Sequence, residues 1–158
     1  MEGGNALAQL ISGRANPSGH LPFTMAQNED DYPDFLFPGD KTRDITYGYY
    51  HGYTLLDREN KKAAYPFGFG LSYTDFEFEN ISAKECGDTV EISLDIKNTC
   101  SYDGKTVVQV YAGAKGDHPH KLLKGFKKVL VRAGETVSET VAVCKDDLKY
   151  YNPDSKNR

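Results

Sequence analysis

The sequence predicts a mainly β protein: an antiparallel β-sandwich over its second half, preceded by a short helix and strand of α/β character. Three observations carry this. From Asp75 onward apolar residues alternate with polar ones at a period of two, the signature of half-buried strands. Turn sequences punctuate the alternation at intervals suited to a sandwich of short strands. The first residues show helical spacing, at Ala6, Leu7, Leu10 and Ile11.

In chain order, Gly13 is placed to end the helix. Asn16-Pro-Ser-Gly19 is a turn, since Pro17 presets φ and Gly19 tolerates a positive one. Leu21–Met25 reads as a brief extended piece, and residues 26–46 as a polar, turn-rich loop holding Asp30, Asp31, Asp34, Asp40 and Asp44. Clustered carboxylates can serve as acid and base or hold Ca²⁺, but the ligand spacing of an EF-hand is missing, and a solvated loop is the commoner meaning. Tyr47-Gly-Tyr-Tyr-His-Gly-Tyr53 follows. Its rings suit a sugar-binding rim, with Tyr47, Tyr49, Tyr50 and His51 as a stacking platform. They equally suit a packed strand or turn facing a neighbouring domain, the more frequent role.

Tyr65–Phe76 organises the rest. Pro66 stops any helix, Gly68 and Gly70 permit turning or close approach, and Phe67, Phe69 and Leu71 add apolar surface. A free linker would be polar, so this is a packed seam between two structural units. The strands expected beyond it are built on Phe76, Phe78 and Ile81; on Val90, Ile92, Leu94 and Ile96; on Val108, Val110 and Ala112; on Leu122–Val131; and on Val137, Val141 and Val143. Lys127 and Lys128 fall at a solvated side or rim. Asp147-Leu-Lys-Tyr-Tyr151 begins one more element.

Composition excludes several classes of function. The chain has 158 residues, a net charge of −4 and 39% apolar content, ordinary for a globular protein. Positive and negative residues are interspersed, so no footprint for nucleic acid or an anionic membrane is expected. Apolar runs are far shorter than the ~20 residues of a membrane span, and no signal peptide is visible at the start. Cys86, Cys100 and Cys144 leave one thiol over in any pairing and lack zinc-site spacing; free thiols lean towards a reducing, cytoplasmic setting. Asn80-Ile-Ser82 is a formal glycosylation acceptor. His118-Pro-His120 reads as a loop before it reads as a metal clamp. Ser18 is not in a nucleophile elbow, and Phe67-Gly-Phe-Gly70 lacks the third glycine and following helix of a dinucleotide loop. The expectation is no metal and no cofactor.

Three ordered motifs resemble one family. Pro66-Phe-Gly-Phe-Gly-Leu-Ser-Tyr-Thr74, Asn16-Pro-Ser-Gly-His-Leu-Pro22, and Val107–Tyr111 together with Leu122–Val129 are similar to stretches of the family 3 glycoside hydrolases, the β-glucosidases and β-xylosidases. The resemblance implies that residues 1–74 are the end of the family's second, α/β domain with its connector. Residues 75–158 would be a fibronectin type III-like domain, with about five strands and a partial sixth where roughly seven are needed. The sandwich is thus expected to lack its last strand and to leave an edge open. Tyr47, Thr54 and His20 stand where the family commonly carries Glu, Arg and Arg.

The resemblance also implies retaining hydrolysis of β-linked sugars, which needs two carboxyl groups about 5–5.5 Å apart. In the family the nucleophilic Asp comes from a TIM barrel, and the acid/base Glu precedes the Asn-Pro-Ser-Gly loop. Glu2 does not match that segment, so no catalytic residue is expected here, and the chain alone should not turn over. Its partners would be the parent's TIM barrel and α/β domain, with oligosaccharide as a further ligand. The alternatives are a carbohydrate-binding module using Tyr49, Tyr50 and His51, or an interaction sandwich unrelated to sugars.

Overall fold

The computed structural model describes residues 2–32, 48–114, 116 and 118–150. They form two compact units, both discontinuous in sequence. The first comprises the described residues of Met1–Gly19, Gly70–Tyr111 and Leu123–Arg158; the second, those of His20–Phe69 and Ala112–Leu122. One divide falls at Phe69/Gly70, inside the glycine-aromatic stretch, and another at Gly19/His20, inside the Asn-Pro-Ser-Gly motif.

The first unit holds helix α1 (Gly3–Ile11) and the sandwich strands. Gly13, at φ 71°, turns the chain out of α1 as its spacing predicts. One sheet has the antiparallel order β3-β4-β7, from Phe76–Cys86, Thr89–Asn98 and Thr136–Cys144; the other pairs β5 (Gly104–Ala112) with β6 (Leu122–Val131). Cys86 faces Thr89 across a two-residue turn in which Gly87 takes φ 56°, the left-handed geometry that such hairpins require.

Alternation explains the packing. Leu94 and Ile96 of β4, Val141 of β7, Val108 of β5, and Val129 and Val131 of β6 form a single buried cluster. Strands of separate sheets sharing one core is a face-to-face sandwich. Glu139, in register with Leu94, reaches Lys127 of the opposite sheet as an ion pair. Asn98, fully buried, donates through Nδ2 to the carbonyls of Tyr102 (2.7 Å) and Val131 (3.0 Å) and accepts from the Cys100 N–H (2.9 Å). A buried amide is tolerable because it is paired in this way.

Two expectations are corrected. The element begun at Asp147 is no strand over its described residues: Lys145–Leu148 is one 3-10 turn, closed by the Lys149 N–H donating to the Asp146 carbonyl. Three polar residues there break the alternation a strand needs. Phe78 and Ile81, expected on the core face, are 44% and 67% exposed. Phe78 lies opposite the fully buried Ile96, on the core side of the sheet, but β3 stands at the edge of the order β3-β4-β7 and leaves the ring half open. Ile81 falls in the register shift between Glu79 and Ser82, where Asn80 takes φ 52°.

The second unit contains the ribbon β1 (Met25–Ala26) and β2 (Ala63–Tyr65), a 3-10 turn at Glu29–Asp31, and helix α2 (Tyr53–Arg58). The extended piece expected over Leu21–Met25 is regular only from Met25. Backbone bonds join the two motifs here: Leu21 N–H to the Phe69 carbonyl and Gly68 N–H to the Leu21 carbonyl, both 2.8 Å. His20 bonds the Gly68 carbonyl through Nδ1 at 2.7 Å.

Candidate functional site

The aromatic segment belongs to the second unit, and what shapes it is the start of α2. Gly52, at φ 55° and ψ −132°, makes a bend closed to other residues. Thr54, 7% exposed, accepts the His51 N–H on Oγ1 (3.1 Å) and donates that hydroxyl to the His51 carbonyl (2.8 Å). This reciprocal lock holds the helix start and places the residues before it.

The three predicted site residues have different fates. Tyr49 is 62% exposed, with its ring edge-on to Tyr50 at a centroid distance of 5.1 Å. The Arg58 guanidinium lies 4.2 Å from the centre of the Tyr50 ring, a cation–π contact that occupies one face. His51 is exposed, and its backbone serves the α2 lock. Tyr49 and His51, with Phe23, Tyr32, Tyr53 and Phe67, line one mostly apolar cleft of about 750 Å³. Tyr53 packs on Phe67 with ring centroids 5.2 Å apart, so the glycine-aromatic motif supplies part of the wall. Tyr47, Asp34, Asp40 and Asp44 lie outside the described residues.

Of the carboxylates in the loop, Asp31 is engaged. Lys61 pairs with it at 3.2 Å and with Glu59 at 2.7 Å. The hydrogen bond from Lys61, aided by those from Asn28, holds the Asp31 carboxyl below its ordinary range. A carboxylate kept ionised by a lysine is suited to anchoring, not to donating a proton. Among the described residues no group of three or more His, Cys, Asp or Glu is arranged to hold a metal.

Sequence reasoning missed α2 itself, the Arg58–Tyr50 contact and Thr24. The Thr24 hydroxyl is buried beside the cleft with no hydrogen-bond partner among the described residues. The signal for α2 was Tyr53 and Leu56 at helical spacing with Arg58 near the C-terminal end. Nothing in the spacing of Tyr50 and Arg58 announces their contact.

Residues 1–73 match the glycosyl hydrolase family 3 C-terminal domain, and residues 106–158 the fibronectin type III-like domain. Beta-glucosidase B of Emericella nidulans is 40% identical over 159 aligned positions, covering 89% of this chain and 19% of that protein. The probable beta-glucosidase M of Aspergillus niger is 32% identical, covering 97% of this chain and 24% of that protein. Among solved structures, a family 3 beta-glucosidase of Bifidobacterium adolescentis superposes with a TM-score of 0.86 at 33% identity, over 98% of this chain and 24% of that one. Beta-glucosidase 3B of Thermotoga neapolitana gives 0.85 at 36% identity, over 93% and 22%. The chain thus spans about a quarter or less of the length of these relatives.

Proposed function

Since the chain belongs to the family 3 glycoside hydrolases, matching their C-terminal domain and a fibronectin type III-like domain, we propose that it is the accessory region of a β-glucosidase-like enzyme, joins the end of that enzyme's α/β domain to the sandwich, and carries neither catalytic carboxylate. The parent would hydrolyse β-linked sugars with retention, through two carboxyl groups about 5–5.5 Å apart contributed from outside these residues. No cofactor takes part in that chemistry. The division at 74/75 is then the boundary between the end of the α/β domain and the sandwich.

One observation carries the accessory role. Helix α1 is amphipathic, yet none of its residues is buried. Leu7 and Ile11 are 57% and 75% exposed, and Leu71, in the same unit, is 69% exposed. An apolar helix stripe without cover is an interface awaiting its partner, and the parent's remaining α/β domain is the partner this reading assigns. The test is association of this chain with the parent's barrel and α/β domain, produced separately. The wild-type chain should bind, and Leu7→Glu with Ile11→Glu should abolish binding while leaving the sandwich folded. Binding indifferent to both substitutions would remove α1 as the interface.

A second reading is favoured by the exposure of Tyr49 beside His51 in the cleft: Tyr49 stacks on a sugar ring, with Tyr50 braced by Arg58 behind it. Calorimetric titration with glucose and cellobiose should then show saturable heat that Tyr49→Ala abolishes. Absence of heat from the wild-type chain would leave the accessory role alone standing.

A further inference from the structure

Asn16 spends the entire hydrogen-bonding capacity of its amide on the first unit. Nδ2 donates to Thr74 Oγ1 at 2.7 Å and to the Asp103 carbonyl at 3.0 Å. Oδ1 accepts from the Ser72 hydroxyl at 3.0 Å and the Tyr73 N–H at 2.9 Å. An asparagine side chain offers two donors and two acceptor sites, so the group is saturated. Its partners lie between 56 and 87 residues away in sequence.

Those partners are themselves fixed. Thr74 is 4% exposed, and its hydroxyl also donates to the Tyr102 carbonyl at 3.3 Å. A Cβ on Gly104 would stand 2.7 Å from the Phe76 ring and 2.8 Å from Thr74 Oγ1, so backbone and side chain meet with no slack. Asp103 Oδ1 accepts the Ala133 N–H at 2.9 Å, tying the β4–β5 turn to the β6–β7 turn. On the other side, the Tyr73 hydroxyl donates to the Leu10 carbonyl in the last turn of α1 at 2.7 Å. The Ala15 N–H reaches the Gln9 carbonyl at 3.2 Å, holding Asn16 against the helix end.

Helix α1 needs such support. It has nine residues, begins with two glycines and buries none of them. Isolated helices shorter than about 12–15 residues are marginal in water, and glycine lowers the propensity further. We infer that Asn16 is a latch that makes α1 and the sandwich one mechanical body, so that whatever covers the apolar face of α1 is held by the sandwich itself. The inference concerns the first unit alone and does not depend on the identity of the partner.

Amide hydrogen exchange on the full chain tests it, with a synthetic peptide of residues 2–15 as reference. The amides of Leu10, Ile11 and Ser12 should be protected at least about tenfold over the peptide. Asn16→Ala should remove that protection together with that of the Tyr73 amide, while Leu94 and Val141 in the core keep theirs. Should Asn16→Ala fail to fold, Tyr73→Phe removes only the hydroxyl tie to Leu10, and should lower α1 protection at least about threefold. Peptide-like exchange of α1 in the wild-type chain overturns the latch. So does α1 protection unchanged in Asn16→Ala or, where that variant does not fold, in Tyr73→Phe.

Discussion

At Asn16 and Gly104 single residues decide how a distant turn is held. Asn16→Ala deletes four hydrogen bonds, some replaceable by water because the site is only half buried. The expected loss is about 1–3 kcal/mol, read as a lower urea midpoint with unchanged slope. Gly104→Ala forces a methyl group against Thr74 and Phe76, an overpacking cost of about 1–3 kcal/mol. Gly104 does not take a positive φ, so that cost arises from contact and not from backbone strain. A midpoint unchanged in Gly104→Ala would mean that the turn is looser than the structure shows. Ile96→Ala, at a fully buried position of the sandwich core, should cost more, about 2–5 kcal/mol, in the same assay.

Elements differ in how plainly the sequence announces them. Strands β4 and β7 were legible because Leu94 and Ile96, and Val141 and Val143, recur at a period of two and are buried. β3 was legible as a strand, but the irregularity that leaves Ile81 exposed was not, since the register shift between Glu79 and Ser82 is not written in any period. α2 was hidden by the aromatic-glycine run before it. The tie between the two glycine-containing motifs was out of reach for a different reason. Asn16, Ser72 and Asp103 meet only after the chain has folded, and single-sequence periodicity reports neighbours in sequence. Of the candidate site, the types and positions of Tyr49 and His51 were visible beforehand, whereas the enclosing Phe23, Tyr32 and Phe67 were not.

For the whole molecule, charge sets a stability window. Asp31, held low by Lys61, Asp95 by Asn80 and Ser138, and Glu85 by Lys145 all have carboxyls below their ordinary range. A depressed carboxylate contributes stability above its unfolded pKa and loses it as pH falls through the folded one. Lys61 is raised, first by Glu59 and then by Asp31, so its contribution is complete below the unfolded lysine value and fades as pH rises beyond it. Thermal melts should therefore show a plateau between about pH 5 and pH 9, with decline on both sides. Asp95→Asn should shrink the acid limb of that profile; an unaltered acid limb would remove Asp95 from its causes. Glu85 and Lys61 are exposed and Asp31 and Asp95 only half-buried, so each contribution is modest.

The assignment of an accessory region without its own catalytic pair is tested most directly by incubating the repurified chain, at high concentration, with aryl β-glucoside and aryl β-xyloside. The account predicts no release of the aryl group above the enzyme-free rate. Release that follows the protein through repurification would contradict it, and would place a working pair of carboxylates within these 158 residues.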